Sequence, residues 1–87
     1  MPDEPAPVVL TEHAKAQCVA RGLRELDVLR VVEDPFAVRE SPGGAVLYVG
    51  QGLIRGRRWG WVGAVVRGRW VVTAYDANAK NGMRPAP

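Results

Sequence analysis

A single histidine, His13, stands in this 87-residue chain, and imidazole is the side chain whose ordinary titration range spans neutrality. It is the candidate for general acid or base work. Gln17 and Arg21 follow at four-residue steps, so on a helix the three form one stripe, which either faces water or looks into a site. Arg21 lies about 12 Å along the axis from His13 at 1.5 Å per residue, so the two do not touch but can line one groove. Near the other end, Thr73 and Tyr75 share a strand face by two-residue alternation. A hydroxyl beside a phenol can donate to a phosphate or orient a ribose. Between them runs Arg55-Gly56-Arg57-Arg58-Trp59, in which guanidinium forks suit phosphate oxygens and an indole suits an unpaired base.

Each of these residues also has a plainer reading. His13 fits a surface histidine beside a helix start, Arg21 a helix C-terminal cap, and Gln17 a spacer or structural hydrogen-bonder. Thr and Tyr are favoured in strands regardless of function. The arginine stretch fits a basic hairpin loop. Trp61 shares a strand face with Trp59 and reads as a core residue under the helices. Arg67 and Arg69 read as turn charges, and Cys18, among small apolar residues, as packing.

These side chains must be positioned by elements that the sequence marks clearly. Thr11 is an N-cap, Glu12 complements the helix dipole, and Gly22 suits the left-handed residue past a helix end. A first helix is expected from about Glu12 to Arg21. A second is expected from about Arg24 to Glu33, with Leu26, Leu29 and Val32 recurring on one face. Asp34-Pro35 closes it. Beyond Pro35 the pattern changes to strands: Phe36–Glu40, then a Ser41–Gly44 turn, then Ala45–Gly50. A glycine- and arginine-rich connection is expected over Gln51–Arg58. Strands over Arg58–Val66 and Trp70–Tyr75 follow, joined tightly at Arg67-Gly68-Arg69. Val8–Leu10 reads as a lead-in strand or extended chain. The expected domain is residues 8–77, with unordered segments at 1–7 and 78–87. Two helices on one face of a four-stranded antiparallel meander make an α+β fold.

Composition bounds the function classes. A chain of this length buries only about 60% of its unfolded surface, and its 47% hydrophobic and 24% charged residues suit an ordinary folded domain. The one cysteine excludes an internal disulfide and, with the one histidine, argues against a zinc site, so no metal is expected. No nucleotide-binding glycine motif follows a strand, so no cofactor is expected. Neither a signal peptide nor a membrane-spanning run is read, and a cytoplasmic setting is expected. Residues 1–34 carry seven acids and four bases, whereas residues 35–87 carry two acids and eight bases. A basic half in a small domain suits either a polyanion partner or a solubilising surface.

Five motifs in order, His13-Ala14, Arg21-Gly22, Asp27-Val28, Asp34-Pro35 and Val72-Thr73-Ala74-Tyr75, give the chain a family resemblance. Over Leu10 to Asp76 it resembles a small bacterial domain family similar to the BrnT and RelE ribonuclease toxins. Arg24 departs from the serine-like cap more usual there, and the Gly/Arg stretch around Leu53–Trp59 is an insertion. The resemblance implies a RelE/BrnT-like fold and RNA cleavage of toxin type. Metal-independent cleavage needs a base for the ribose 2′-hydroxyl, an acid for the leaving 5′-oxygen and cations for the phosphate. On that reading His13, Thr73 and Tyr75 form the catalytic set, with Thr73 and Tyr75 positioning the ribose. Arg21, Arg55, Arg57 and Arg58 hold phosphate, and Trp59 stacks a base. The implied partners are RNA, free or on the ribosome, and a cognate antitoxin protein. The alternative is a non-catalytic RNA- or protein-binding module on the same fold, in which His13 is dispensable. A third option is a homodimer formed through an open sheet edge.

Overall fold

The computed structural model describes residues 8–77, and the expected terminal segments 1–7 and 78–87 lie outside the described residues. The elements are β1 (Val9–Leu10), α1 (Glu12–Arg21), α2 (Glu25–Glu33), β2 (Ala37–Glu40), β3 (Val46–Ile54), β4 (Arg58–Arg67) and β5 (Trp70–Asp76). A short 3₁₀ turn, Pro42–Gly44, joins β2 to β3. The fold is α+β. The sheet, however, has five strands in the order β1-β5-β4-β3-β2, not four. Strands β2 to β5 form the antiparallel meander. The lead-in residues add a fifth strand in parallel, pairing Val9 with Trp70 and Leu10 with Val71, so the sheet is mixed.

Helix α1 begins where its cap residue is also anchored to the sheet. The Thr11 hydroxyl accepts from the Ala14 N–H at 3.1 Å and donates to the Val71 carbonyl at 3.1 Å. At the far end Gly22 takes the left-handed conformation (φ 70°), and the Leu23 N–H returns to the Cys18 carbonyl at 2.8 Å. No other residue type relaxes easily into that space, because a Cβ on Gly22 would lie 2.6 Å from Cγ of Arg55.

One sheet face carries the main core. Ile54, Val62, Ala64, Val66, Val71 and Ala74 pack there against Ala14, Cys18, Val28 and Val31 of the two helices. The opposite face carries a smaller cluster of Val49, Trp61 and Ala77, with Ala37, Leu47 and Tyr75 against it. Trp61 therefore packs on the side away from the helices, and the expectation that it lies beneath them is corrected. Alternation along β4 decides this, because its neighbour Val62 faces the helices.

The expected Gln51–Arg58 connection is also corrected, since β3 runs on to Ile54 and pairs with β4 down to Arg58. The glycines that signal a loop mark close approach instead. A Cβ on Gly50 would sit 3.1 Å from a Val31 methyl, and one on Gly52 3.0 Å from Cβ of Asp27. Glycine here lets α2 settle onto the strand. Only Arg55, Gly56 and Arg57 form the turn, and Arg55 is the one non-glycine among the described residues with positive φ (57°).

Candidate nucleic-acid interface

The α1 stripe has a structural use for two of its three members. Beyond Val71, no strand of the described residues pairs with β5 on its outer side, which leaves the Ala74 N–H and C=O to side chains. The Gln17 side-chain oxygen accepts from the Ala74 N–H at 3.0 Å. The Arg21 guanidinium approaches the Ala74 carbonyl at 3.5 Å. Helix side chains thus cover a sheet edge that would otherwise invite another strand. His13, one turn before Gln17, is exposed. It belongs to the helix layer and stands about 12 Å along the axis from Arg21.

The arginine-rich hairpin divides between the two sides of the sheet. Arg55 donates its backbone N–H to the Gly22 carbonyl at 2.7 Å, which docks the β3–β4 turn onto the end of α1. Arg58 shares the helix-facing side and donates to Asp76 at 3.3 Å, so a phosphate arriving there competes with a carboxylate. Arg57 is exposed at the turn. Trp59, next to Arg58 in β4, points to the opposite face and is 62% exposed. The structure brings Arg21, Arg55 and Arg58 to one end of the molecule but separates them from His13 and, by the thickness of the sheet, from Thr73 and Tyr75.

The face away from the helices collects the three tryptophans and Tyr75, whereas Tyr48 packs against the main core. Trp59 and Trp61 alternate onto it from β4, and Tyr75 lies over Gly63, where an added Cβ would be 2.6 Å from the ring. Thr73 is paired with Val65 on the same face. Trp70 joins them because of a β-bulge: opposite Val65 and Val66, strand β5 spends one extra residue, Val72. Simple alternation from Tyr75 would turn Trp70 toward the helices. The bulge reverses that phase, so Val71 is buried in the main core while Trp70 emerges 45% exposed. The guanidinium of Arg69 sits 5.4 Å from the Trp70 ring centre. Arg39 stands exposed on the same face of β2, paired with Leu47. Among the described residues no strand position on this face carries an acid, and the charged ones are Arg39 and Arg67. Arg67 is more than a turn charge, because it donates to the Gly43 carbonyl at 2.6 Å and ties two turns together.

Burial raises the Tyr75 phenol above its ordinary titration range. Burial, and then the charge of Glu25, likewise raise the Cys18 thiol, which stays a packing group.

Sequence reasoning passed over Asp27 except as half of a motif. It is 1% exposed. Arg24 grips it with two bonds of 2.7 and 2.9 Å, and the Leu53 N–H donates to it at 3.0 Å. Burial alone would push this carboxyl up. The Arg24 fork, the Leu53 N–H and the positive charges of Arg24 and Arg30 outweigh that and hold it below the usual carboxylate range. Arg24 stands at the N-cap position without capping; its guanidinium reaches forward to Asp27 instead. The spacing of an arginine three residues before an acid was the available signal.

Among the described residues no helix is long and apolar enough to cross a membrane. Comparison with protein-family models, with curated proteins and with solved structures finds no match to this chain, so its site is read from its own geometry.

Proposed function

We propose that the domain binds single-stranded RNA across the sheet face opposite the two helices. The observation that carries this reading is that Trp59 and Trp70 stand exposed, with Trp61 packed into the same face, where both charged strand residues are arginines. Exposed aromatic rings stack unpaired bases, and a basic surround tracks the phosphates. Trp59 and Trp70 stand near opposite ends of β4, about 26 Å apart at about 3.3 Å per residue, far enough to engage separate nucleotides. A preference for RNA over DNA follows the resemblance to BrnT and RelE toxins, and Thr73 offers a hydroxyl to a ribose 2′-OH. Titration of a fluorescent, unstructured RNA decamer at low salt tests the reading. Wild-type protein is expected to bind, and Trp59→Ala and Trp70→Ala each to weaken binding. An unchanged signal for wild type would refute it.

A second reading adds metal-independent, toxin-type cleavage in the cytoplasm, restrained by an antitoxin protein that covers this face. It is favoured by Thr73 and Tyr75 standing on the proposed binding surface. In that reaction the 2′-hydroxyl gives up its proton to water as its oxygen bonds to the adjacent phosphorus, the P–O5′ bond breaks, and the 5′-oxygen takes a proton that Tyr75 can supply and regain from water. His13 lies in the helix layer, so the cleavage reading rests on Tyr75 first. Incubation of end-labelled RNA with excess chelator is expected to yield 2′,3′-cyclic phosphate ends with wild type and His13→Ala, and none with Tyr75→Phe. RNA that stays intact with wild type, with and without ribosomes, would leave binding as the function.

A further inference from the structure

Strand β2 leaves β3 early. Its last pair with β3 toward the β3–β4 turn is Ala37 with Val49, and the Phe36 N–H closes onto the Val49 carbonyl at 2.8 Å. From Gly50 to Leu53 no strand of the described residues lies beside the outer edge of β3, and a single bridge from Leu23 meets it at Ile54. In a strand the N–H and C=O of one residue point to the same side, and successive residues alternate. Val49 and Leu53 direct theirs outward, toward Phe36 and toward Asp27 respectively. Gln51 between them does the same, but faces a cleft.

That cleft holds about 590 Å³, within the range of sites that take small molecules. Its lining includes Arg30, Asp34, Phe36, Gly50, Gln51 and Trp61. The Phe36 and Trp61 rings meet at 4.8 Å between centres with a tilt of 55°. Trp61 is nearly buried and forms a floor, whereas Phe36 is 61% exposed and leaves ring surface open. An aromatic wall, a backbone donor and acceptor on one residue, and a nearby guanidinium match the parts of a nucleotide: a flat ring, a polar ring edge and a phosphate.

We propose that this cleft takes one unpaired nucleobase, stacked on Phe36 and hydrogen-bonded along its edge to the main chain of Gln51, with Arg30 toward the phosphate. The inference deepens the RNA-binding reading and rests on it for the source of the base. A base on an RNA strand and a free nucleotide present the same chemistry, so the two are tested apart.

In the first arm, nucleoside monophosphates are titrated into the full-length ¹⁵N-labelled protein. Shifts of the Gln51 amide and the Trp61 indole signals are expected, and they are expected to vanish in Phe36→Ala. In the second arm, a labelled RNA decamer is titrated into wild type, Phe36→Ala and Gln51→Pro. Proline removes the outward N–H at an edge position where strands tolerate it. Both variants are expected to bind about fivefold more weakly or worse, with the salt dependence unchanged. Wild-type RNA binding that neither variant alters, together with no nucleotide shift at Gln51, would overturn the cleft assignment and leave the binding reading intact. Nucleotide shifts at Gln51 without RNA binding would support the cleft for free nucleotides and refute the broader reading. Should Gln51→Pro fail to fold, Phe36→Ala, which alters an exposed ring, decides both arms.

Discussion

Asp27 shows how much one side chain organises. Its carboxylate joins the start of α2, through Arg24, to the edge of β3, through the Leu53 N–H, and is almost wholly buried while doing so. Replacing it with asparagine keeps the shape but removes the charge that the Arg24 fork and the Leu53 N–H were satisfying. Asp27→Asn is expected to cost about 1–3 kcal/mol of stability, measured by urea unfolding at neutral pH. The pH dependence has a defined sign. Because the folded carboxyl lies below its ordinary value, its contribution is complete above the unfolded value of about 3.9 and is lost as pH falls through the folded one. Wild type should therefore lose stability on acidification more steeply than Asp27→Asn, with the two curves converging at low pH. Parallel curves would show that the carboxylate does not supply the acid sensitivity. The motif containing Asp27 was visible in the sequence, but its burial was not. An acid in the first turn of a helix ordinarily reads as a dipole partner in water, and only the approach of β3 makes it a buried one.

At the scale of elements, the two helices were legible because their ends carry chemistry: Thr11 and Gly22 bound α1, and Asp34-Pro35 ends α2. The strands were less so. Glycine is ambiguous in a one-dimensional reading, since it serves turns and close contacts alike, and β3 turned on the second use at Gly50 and Gly52. Gly52→Ala is expected to lower stability by about 1–3 kcal/mol, seen as a reduced melting temperature, since its Cβ would press on a Val62 methyl at 2.9 Å. The bulge at Val72 was illegible for a different reason. Nothing in a run of β-formers reveals where one extra residue is spent, yet that residue decides which face Trp70 joins. The α1 stripe is legible as a stripe, and Gln17 reads from sequence as a spacer or structural hydrogen-bonder; in the fold Gln17 does bond to the β5 edge, and Arg21, expected at a phosphate or as a helix cap, joins it there. Gln17→Ala should leave the Ala74 N–H without its side-chain partner, and hydrogen exchange at that amide is expected to accelerate while exchange at Val62 changes little. Equal protection of Ala74 in the variant would contradict the edge-covering role.

Over the whole molecule, the two sheet faces divide the labour. One is sealed by helices and holds the main core, and the other is left with tryptophans and arginines. Among the described residues the two helices carry acids and bases in near balance, whereas the sheet and its turns carry more arginines than acids. On the proposed RNA-binding reading, log affinity for single-stranded RNA is expected to fall with log salt by about 0.7 for each phosphate contacted. Arg39→Ala and Arg57→Ala should each flatten that slope, whereas Trp59→Ala should weaken binding at every salt concentration and leave the slope alone. The open face is the central claim, and anisotropy titration of a labelled unstructured RNA decamer with wild type, Trp59→Ala, Trp70→Ala and His13→Ala tests it most directly. Losses of about fivefold or more are expected for each tryptophan variant, at about 1–3 kcal/mol per stacked base, with His13→Ala binding as wild type does. Undiminished binding by both tryptophan variants, with binding lost in His13→Ala, would contradict the account and move the RNA site to the helix layer.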